Sequence, residues 1–162
     1  YGYLSYYQDL VLDSILKNGL YPDVFLWHQG EQDIRSKESY PKKFLKVKSF
    51  EKPSSDEFKN LGLSQKTYYD ALNIILKKTF KNFPNSKFGV ALVSRCSNND
   101  MWHPIREAQL RVIEDNKNTF LSSDSDQIKQ RYDNCHFSDK GASRIGKEYY
   151  YSIKSFMNLD KE

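Results

Sequence analysis

The chain has 162 residues, of which 38% are hydrophobic, and its formal net charge is +4. This length and apolar content predict one globular domain with a sizeable core, and they exclude a disordered chain. No apolar run approaches the roughly 20 residues of a membrane helix, so we expect no membrane span. The start, Tyr1-Gly2-Tyr3, lacks both a methionine and a signal-peptide pattern. We therefore expect the natural N-terminus to lie upstream, and localisation stays open.

The first third of the chain predicts a helix followed by a strand. Leu4, Tyr7 and Val11 recur at helical spacing, and Gly19 stands where a left-handed residue would end that helix. Residues 23–28 form a nearly continuous apolar run. Such a run is typical of a strand that is buried on both faces of a parallel sheet.

Residues 34–62 have no sustained period and are interpreted as a basic insertion loop. The segment holds eight basic side chains against four acidic ones, a surplus that equals the formal charge of the whole chain. A diffuse basic strip of this kind is either a solvated loop, which we favour, or a site for an anionic glycan. Binding of nucleic acid is not expected.

The rest of the chain continues the alternation of helices and strands. Ser64 and Ser138 are placed to cap helices, and Pro104 is placed as the first residue of another helix. Residues 87–93 and 119–121 are predicted strands. The residues expected to face inward from the three helices are Tyr68, Leu72, Ile75, Leu76, Phe80, Ile105, Ala108, Val112, Ala142, Ile145, Tyr149, Ile153 and Phe156. This order predicts an α/β layer fold with parallel strands, whose ligands bind beyond the carboxyl ends of the strands.

A polar turn follows the first predicted strand, with the sequence Trp27-His28-Gln29-Gly30-Glu31-Gln32-Asp33. A glycine among polar residues at a strand end suits a site where the backbone turns sharply beside a ligand. It equally suits a structural turn in which Glu31 and Asp33 cap neighbouring backbone groups. The turn alone does not decide between the two.

Asp133 and His136 stand three residues apart before the last predicted helix. In a loop, this spacing lets the carboxylate accept the imidazole Nδ1 proton and leaves Nε2 free as a base. A surface or capping histidine is the alternative. His28 and His103 have no comparable partner and are assigned structural roles, and Cys96 and Cys135 are expected to be ordinary thiols.

Three blocks, in this order, resemble one family. Residues 27–33 are similar to the W-x-Q-G-E-x-D block of the sialate O-acetylesterase and acetylxylan esterase relatives in the SGNH/GDSL superfamily. Residues 105–109, I-R-E-A-Q, look like the family's I-R-x-x-Q segment, and residues 133–136 match its closing D-x-x-H block. The resemblance covers nearly the whole chain. It implies a three-layer flavodoxin-like parallel sheet with helices on both faces, in a single domain over residues 1–162 that is incomplete at its N-terminus.

The resemblance implies a serine esterase that removes O-acetyl groups from a carbohydrate, sialic acid or another glycan. A serine would attack the acetyl carbonyl, His136 would accept its proton and Asp133 would orient the imidazole. Gln29 would donate a hydrogen bond to the oxyanion. This chemistry requires no cofactor and no metal. The other matched positions are expected to be scaffold residues of the site: Gly30, Glu31, Asp33, Arg106 and Gln109.

The family's G-x-S block, which carries the nucleophile, is not found in the sequence, and Ser5 does not have its setting. We therefore expect an upstream segment or a second chain to supply the serine and to pair with the strand around Val24–Leu26. Residues 1–162 alone would then be inactive. Two alternatives stay open: an O-acetyltransferase that uses the same triad with a sugar hydroxyl as acceptor, and a non-catalytic carbohydrate-binding remnant. The sequence does not name the sugar.

Overall fold

The computed structural model describes residues 3–34, 64–96 and 103–159. Within these ranges helices and strands alternate, which confirms the predicted α/β class. The elements are α1 (Tyr3–Lys17), β1 (Val24–Trp27), α2 (Gln65–Asn82), β2 (Lys87–Leu92), α3 (His103–Asp115), β3 (Thr119–Asp124) and α4 (Asp139–Phe156). Short 3-10 turns at Glu31–Ile34 and Ser125–Gln127 follow β1 and β3. The predicted insertion at 34–62 lies, from residue 35 onward, outside the described residues.

The three strands form a parallel sheet in the order β1-β2-β3. Because all three run in the same direction, the segments that follow them meet at one edge of the sheet. β2 is the central strand and is almost wholly buried. Among the described residues β1 pairs with β2 only, and Leu26 is 43% exposed. The prediction that this strand is buried on both faces is therefore wrong for the face that carries Leu26.

Helices cover both faces of the sheet. The face that carries Phe88 and Val90 packs against α2 and α3, where a buried cluster includes Leu72, Leu76 and Ile105. The core consists of these side chains because they recur on the inward stripe of each helix.

α4 packs on the opposite face of the sheet. The Phe156 ring stacks on the Phe120 ring of β3, with centroids 4.6 Å apart. Gly89 makes room beneath this pair, since a Cβ there would lie 2.8 Å from Phe120 Cζ. α2 and α3 thus cover one side of the sheet, and α4 covers β3 on the other.

The predicted helix caps are confirmed. Gly19 has a φ of 67° and its amide donates to the Leu16 carbonyl at 2.9 Å, which ends α1. Ser64 accepts from the Thr67 amide at 3.1 Å, and Ser138 accepts from the Gly141 amide at 3.4 Å. Ser138 fixes the point at which the chain leaves the loop of Asp133 and His136 and enters α4.

α1 buries Leu12 and leaves Tyr7 and Val11 exposed, because it rests on α2 along a narrow stripe that also contains Gln8. Two predicted details are wrong. Ala142 is exposed on α4. The strand predicted at 119–121 is Thr119–Asp124, so it ends three residues later than the sequence indicates.

Candidate functional site

The turn after β1 depends on the absence of a side chain at Gly30. A Cβ at this position would lie 2.2 Å from the Val93 carbonyl oxygen and 2.9 Å from Gln109 Nε2. Only glycine therefore lets the turn lie directly against the end of β2. The Gly30 amide donates to Glu31 Oε2 at 3.1 Å, and the Gly30 carbonyl accepts from the Asp33 amide at 3.1 Å.

Buried polar side chains hold this turn from beneath. The hydroxyl of Tyr68 donates to the Gln29 carbonyl at 2.5 Å, and the fully buried Gln109 reaches the same oxygen at 3.3 Å. The Gln109 amide also bonds both backbone groups of Val93, at 3.0 Å each. Burial raises the pKa of Tyr68, so its hydroxyl stays protonated as a donor. The Gln29 backbone is fixed by these contacts, and its side chain is not used in them.

Asp133 and His136 form a hydrogen-bonded pair in the loop between β3 and α4. Asp133 Oδ2 lies 2.7 Å from His136 Nδ1. Asp133 Oδ1 accepts from the His136 amide at 2.7 Å and from the Cys135 amide at 3.1 Å. The backbone and side-chain hydrogen bonds from His136 lower the pKa of Asp133 to about 2. The pair is open to solvent: 77% of the His136 side chain and 56% of the Asp133 side chain are exposed.

His136 and the turn after β1 face one open cavity of about 560 Å³. The apolar side of its lining comes from the loop and from α4. The lining residues are His28, Gln29, Glu31, Cys135, His136, Phe137 and Ile145. The structure thus brings together Gln29, Glu31 and His136, with Asp133 joined through His136. Gly30 belongs to the same turn, and Gln109 lies beneath it.

The structure corrects the expectation that His28 has no carboxylate partner. His28 Nε2 lies 3.4 Å from Glu31 Oε1, and its Nδ1 is hydrogen-bonded to the hydroxyl of Tyr149 on α4. Burial, which by itself would raise the pKa of Glu31, is outweighed by the hydrogen bonds from His28 and the Gly30 amide, so that pKa is lowered. Burial raises the pKa of Tyr149 to about 12. Sequence spacing cannot find the partner on α4, because it lies 121 residues away.

A second network lies below the cavity and contains Arg106. Its guanidinium spans Asp124 and the buried Asp126 at 2.8 Å. Asp126 in turn accepts from the amides of Ser94 and Arg95 and from the Ser94 hydroxyl, at 2.8–3.0 Å. Arg106 therefore ties the segment after β2 to the segment after β3. The sequence prediction missed Asp126 because it ended β3 too early, although residues after strands are the ones to inspect.

Cys96 and Cys135 are joined in a disulfide, so the prediction of two ordinary thiols is wrong. Their separation of 39 residues carries no recognisable pattern. They meet because β2 and β3 are neighbours and the segments after both strands lie at the same edge. Arg131 reinforces the loop by donating to the carbonyls of Ser125, Ile128 and Cys135, with its guanidinium over the Phe137 ring.

In the described ranges no cluster of three or more His, Cys, Asp and Glu side chains is arranged to hold a metal ion. None of the helices in the same part of the chain combines the length and apolar character needed to cross a bilayer.

Comparison with protein-family models, with curated proteins and with solved structures finds no match to this chain.

Proposed function

We propose that the chain forms the Asp-His part of a serine esterase of the SGNH/GDSL type, which removes O-acetyl groups from a carbohydrate. The observation that carries the proposal is the 2.7 Å bond between Asp133 and His136 beside a cavity that Gln29 also lines. A carboxylate, an imidazole and an amide donor at one edge of a parallel sheet are the groups that acyl transfer needs. The three-strand parallel sheet with helices on both faces is compatible with the flavodoxin-like layout of that superfamily.

In this mechanism His136 is the general base. Its Nδ1 proton is held by Asp133, so Nε2 carries a lone pair and accepts the proton of the attacking serine. Asp133 then stabilises the imidazolium and stays ionised itself, as its pKa of about 2 requires. His136 finally returns the proton to the sugar oxygen that leaves.

Gln29 is assigned as a hydrogen-bond donor to the oxyanion. Its carbonyl is held by Tyr68 and Gln109, whereas no described residue bonds its side-chain amide. Gln29 is also one of the residues that line the cavity. Because the Gln29 backbone is already fixed and its amide group has no described partner to give up, little rearrangement is needed when negative charge develops on the acetyl oxygen. Phe137 and Ile145 supply apolar surface for the acetyl methyl group, and the cavity is large enough for part of a sugar ring.

The nucleophilic serine is assigned to a segment outside residues 1–162 or to a second chain. Among the residues that the structure describes, no serine lines the cavity. Within the described residues β1 has one neighbouring strand, so its other edge is able to pair with an added strand. A serine at the carboxyl end of that added strand would reach the same edge of the sheet as His136.

Acetate release tests the proposal. The polypeptide that includes the serine-bearing segment is assayed on p-nitrophenyl acetate and on an O-acetylated sialic acid. His136→Ala should lower kcat by at least about 10³-fold. Gln29→Ala should lower kcat by about 10²–10³-fold with little change in KM, because its bond forms mainly in the transition state.

The matched control for the acidic partner is Asp70→Asn, which removes an exposed carboxylate paired with Lys66 on α2, away from the cavity. Asp133→Asn should lower kcat by about 10⁴-fold, and Asp70→Asn should leave it unchanged. Residues 1–162 alone should release no acetate. Full activity in His136→Ala would refute the proposal. If the acetyl group is transferred to an added sugar and not to water, the proposed activity becomes that of an O-acetyltransferase.

A further inference from the structure

The loop that carries His136 is exposed, and local bonds alone do not fix its place over the cavity. The Tyr132 amide donates to the His136 carbonyl at 2.9 Å, and Arg131 and Phe137 form an isolated bridge. Asn134 has a φ of 60°, so the chain turns through a left-handed residue directly before Cys135. These bonds close the loop on itself, and they leave its position relative to β2 undetermined.

Two contacts of Cys135 connect the loop to the rest of the site. Its sulfur is bonded to Cys96, in the segment after β2, and its carbonyl accepts from the guanidinium of Arg131. Cys96 itself is buried, and the residues before it are fixed by the carboxylate of Asp126. The disulfide therefore joins the residue adjacent to His136 to a rigid part of the sheet edge.

We propose that the Cys96–Cys135 disulfide is a positioning element for His136, so that its reduction lowers the rate of the reaction reversibly. A dithiol reductant supplies two electrons and two protons. Its first thiolate attacks Cys135, which lines the cavity, and Cys96 leaves as a thiolate. The second thiolate of the reagent then closes a cyclic disulfide and releases Cys135, so that two protein thiols remain.

The expected effect is on rate and not on binding. A displacement of about 1 Å of a catalytic group costs on the order of 10²-fold in rate. Freed from Cys96, Cys135 is still held by Arg131, so we expect kcat to fall about 10–100-fold and KM to change by less than about threefold. Because disulfides persist in oxidising compartments, the loop is held in place there and released in reducing ones.

The experiment uses the full polypeptide before and after treatment with dithiothreitol, with far-UV circular dichroism to establish that it stays folded. The nuclear Overhauser effect between the ring protons of Phe137, in the loop, and His28, beyond β1, gives a readout that needs no enzyme activity. In the oxidised protein the two ring centroids lie 5.9 Å apart. Reduction should weaken this effect, because the loop is no longer joined to the sheet edge through Cys96. Acetate release is measured on the same samples, and both values should return after the dithiol is removed and the protein is re-oxidised.

The double variant Cys96→Ser with Cys135→Ser is the matched control. It should resemble the reduced protein and should not respond to the dithiol. If it does not fold, Arg131→Lys provides a second test in which the disulfide is retained. The single nitrogen of an ammonium does not reproduce the three guanidinium nitrogens that each bond a different carbonyl. The kcat of this variant should fall further on reduction. An unchanged Overhauser effect between Phe137 and His28 in the reduced, folded protein would overturn the proposal. The kinetic part rests on the proposed function, and its failure is distinguishable: no acetate release even when oxidised refutes the esterase, while the ring contact still decides the positioning role.

Discussion

Replacement of Gly30 by alanine tests whether the turn after β1 depends on a close approach of two backbones. The added Cβ would lie 2.2 Å from the Val93 carbonyl oxygen, 2.9 Å from Gln109 Nε2 and 3.1 Å from Ile105 Cγ2. The φ of Gly30 is not in the left-handed region, so an alanine meets no backbone strain there. The effect is therefore purely steric, and the neighbours that must move include the end of the central strand.

The size of the effect follows from these contacts. Forcing one extra methyl group into a packed site costs about 1–3 kcal/mol. Displacing the turn also weakens the bonds of Gln109 to the Gln29 and Val93 carbonyls, each worth about 0.5–1.5 kcal/mol. We expect Gly30→Ala to lower the free energy of unfolding by about 2–4 kcal/mol. In a chain of this size that corresponds to a fall in Tm of about 5–15 °C.

Urea denaturation of Gly30→Ala is compared with Gly146→Ala, which makes the same chemical change on the exposed side of α4. Nothing lies within 4 Å of a Cβ at Gly146, so that variant should gain up to about 1 kcal/mol from helix propensity. The two variants should thus change stability in opposite directions. A loss of less than about 1 kcal/mol in Gly30→Ala would refute the reasoning, because the end of β2 would then be able to move away at little cost.

Three further predictions concern the segments around the cavity. Asp126→Ala should cost about 3–5 kcal/mol in urea denaturation, because it leaves the Ser94 and Arg95 donors without their acceptor and Arg106 with Asp124 alone. Asp124→Ala should cost about 1 kcal/mol or less. Asp133 has a folded pKa of about 2, below its unfolded value of about 3.9. Its contribution to stability is therefore full above about pH 4 and is lost as the pH falls toward 2, as acid titration should show. In His136→Ala the pKa of Asp133 should rise only in part, because the backbone amide bond, the largest contribution, remains. Ser138→Ala should cost about 1 kcal/mol, measured by thermal melting, because it removes the cap of α4.

The alternation of elements was predictable from the sequence because hydrophobic period is a local property. The helix caps at Ser64 and Ser138 and the left-handed residue at Gly19 were predictable for the same reason. Which face of an edge element is covered was not predictable. The exposure of Leu26 and of Val11 depends on how many neighbours β1 and α1 have, and no local pattern encodes that number.

The candidate site divides in the same way. The pairing of Asp133 with His136 spans three residues and is visible as a spacing. The disulfide of Cys96 with Cys135 and the bond of His28 with Tyr149 join segments 39 and 121 residues apart. These contacts exist only because the parallel sheet gathers the segments after its strands at one edge. These contacts follow from the topology of the sheet and cannot be predicted from a single sequence.

The two halves of the site are stabilised by different means, and this difference predicts how they respond to mutation. Gln29 is held by Tyr68 and Gln109, which are buried and bonded to each other at 3.1 Å. A mutation beneath this turn therefore lowers the free energy of unfolding. His136 stands in an exposed loop whose links to the sheet edge include one disulfide and one guanidinium. Loss of such a link leaves the core intact. Its main effect is therefore to disturb the orientation of the His136 imidazole. Variants of the turn should accordingly lose stability and rate together, whereas variants of the loop should lose rate while the chain stays folded.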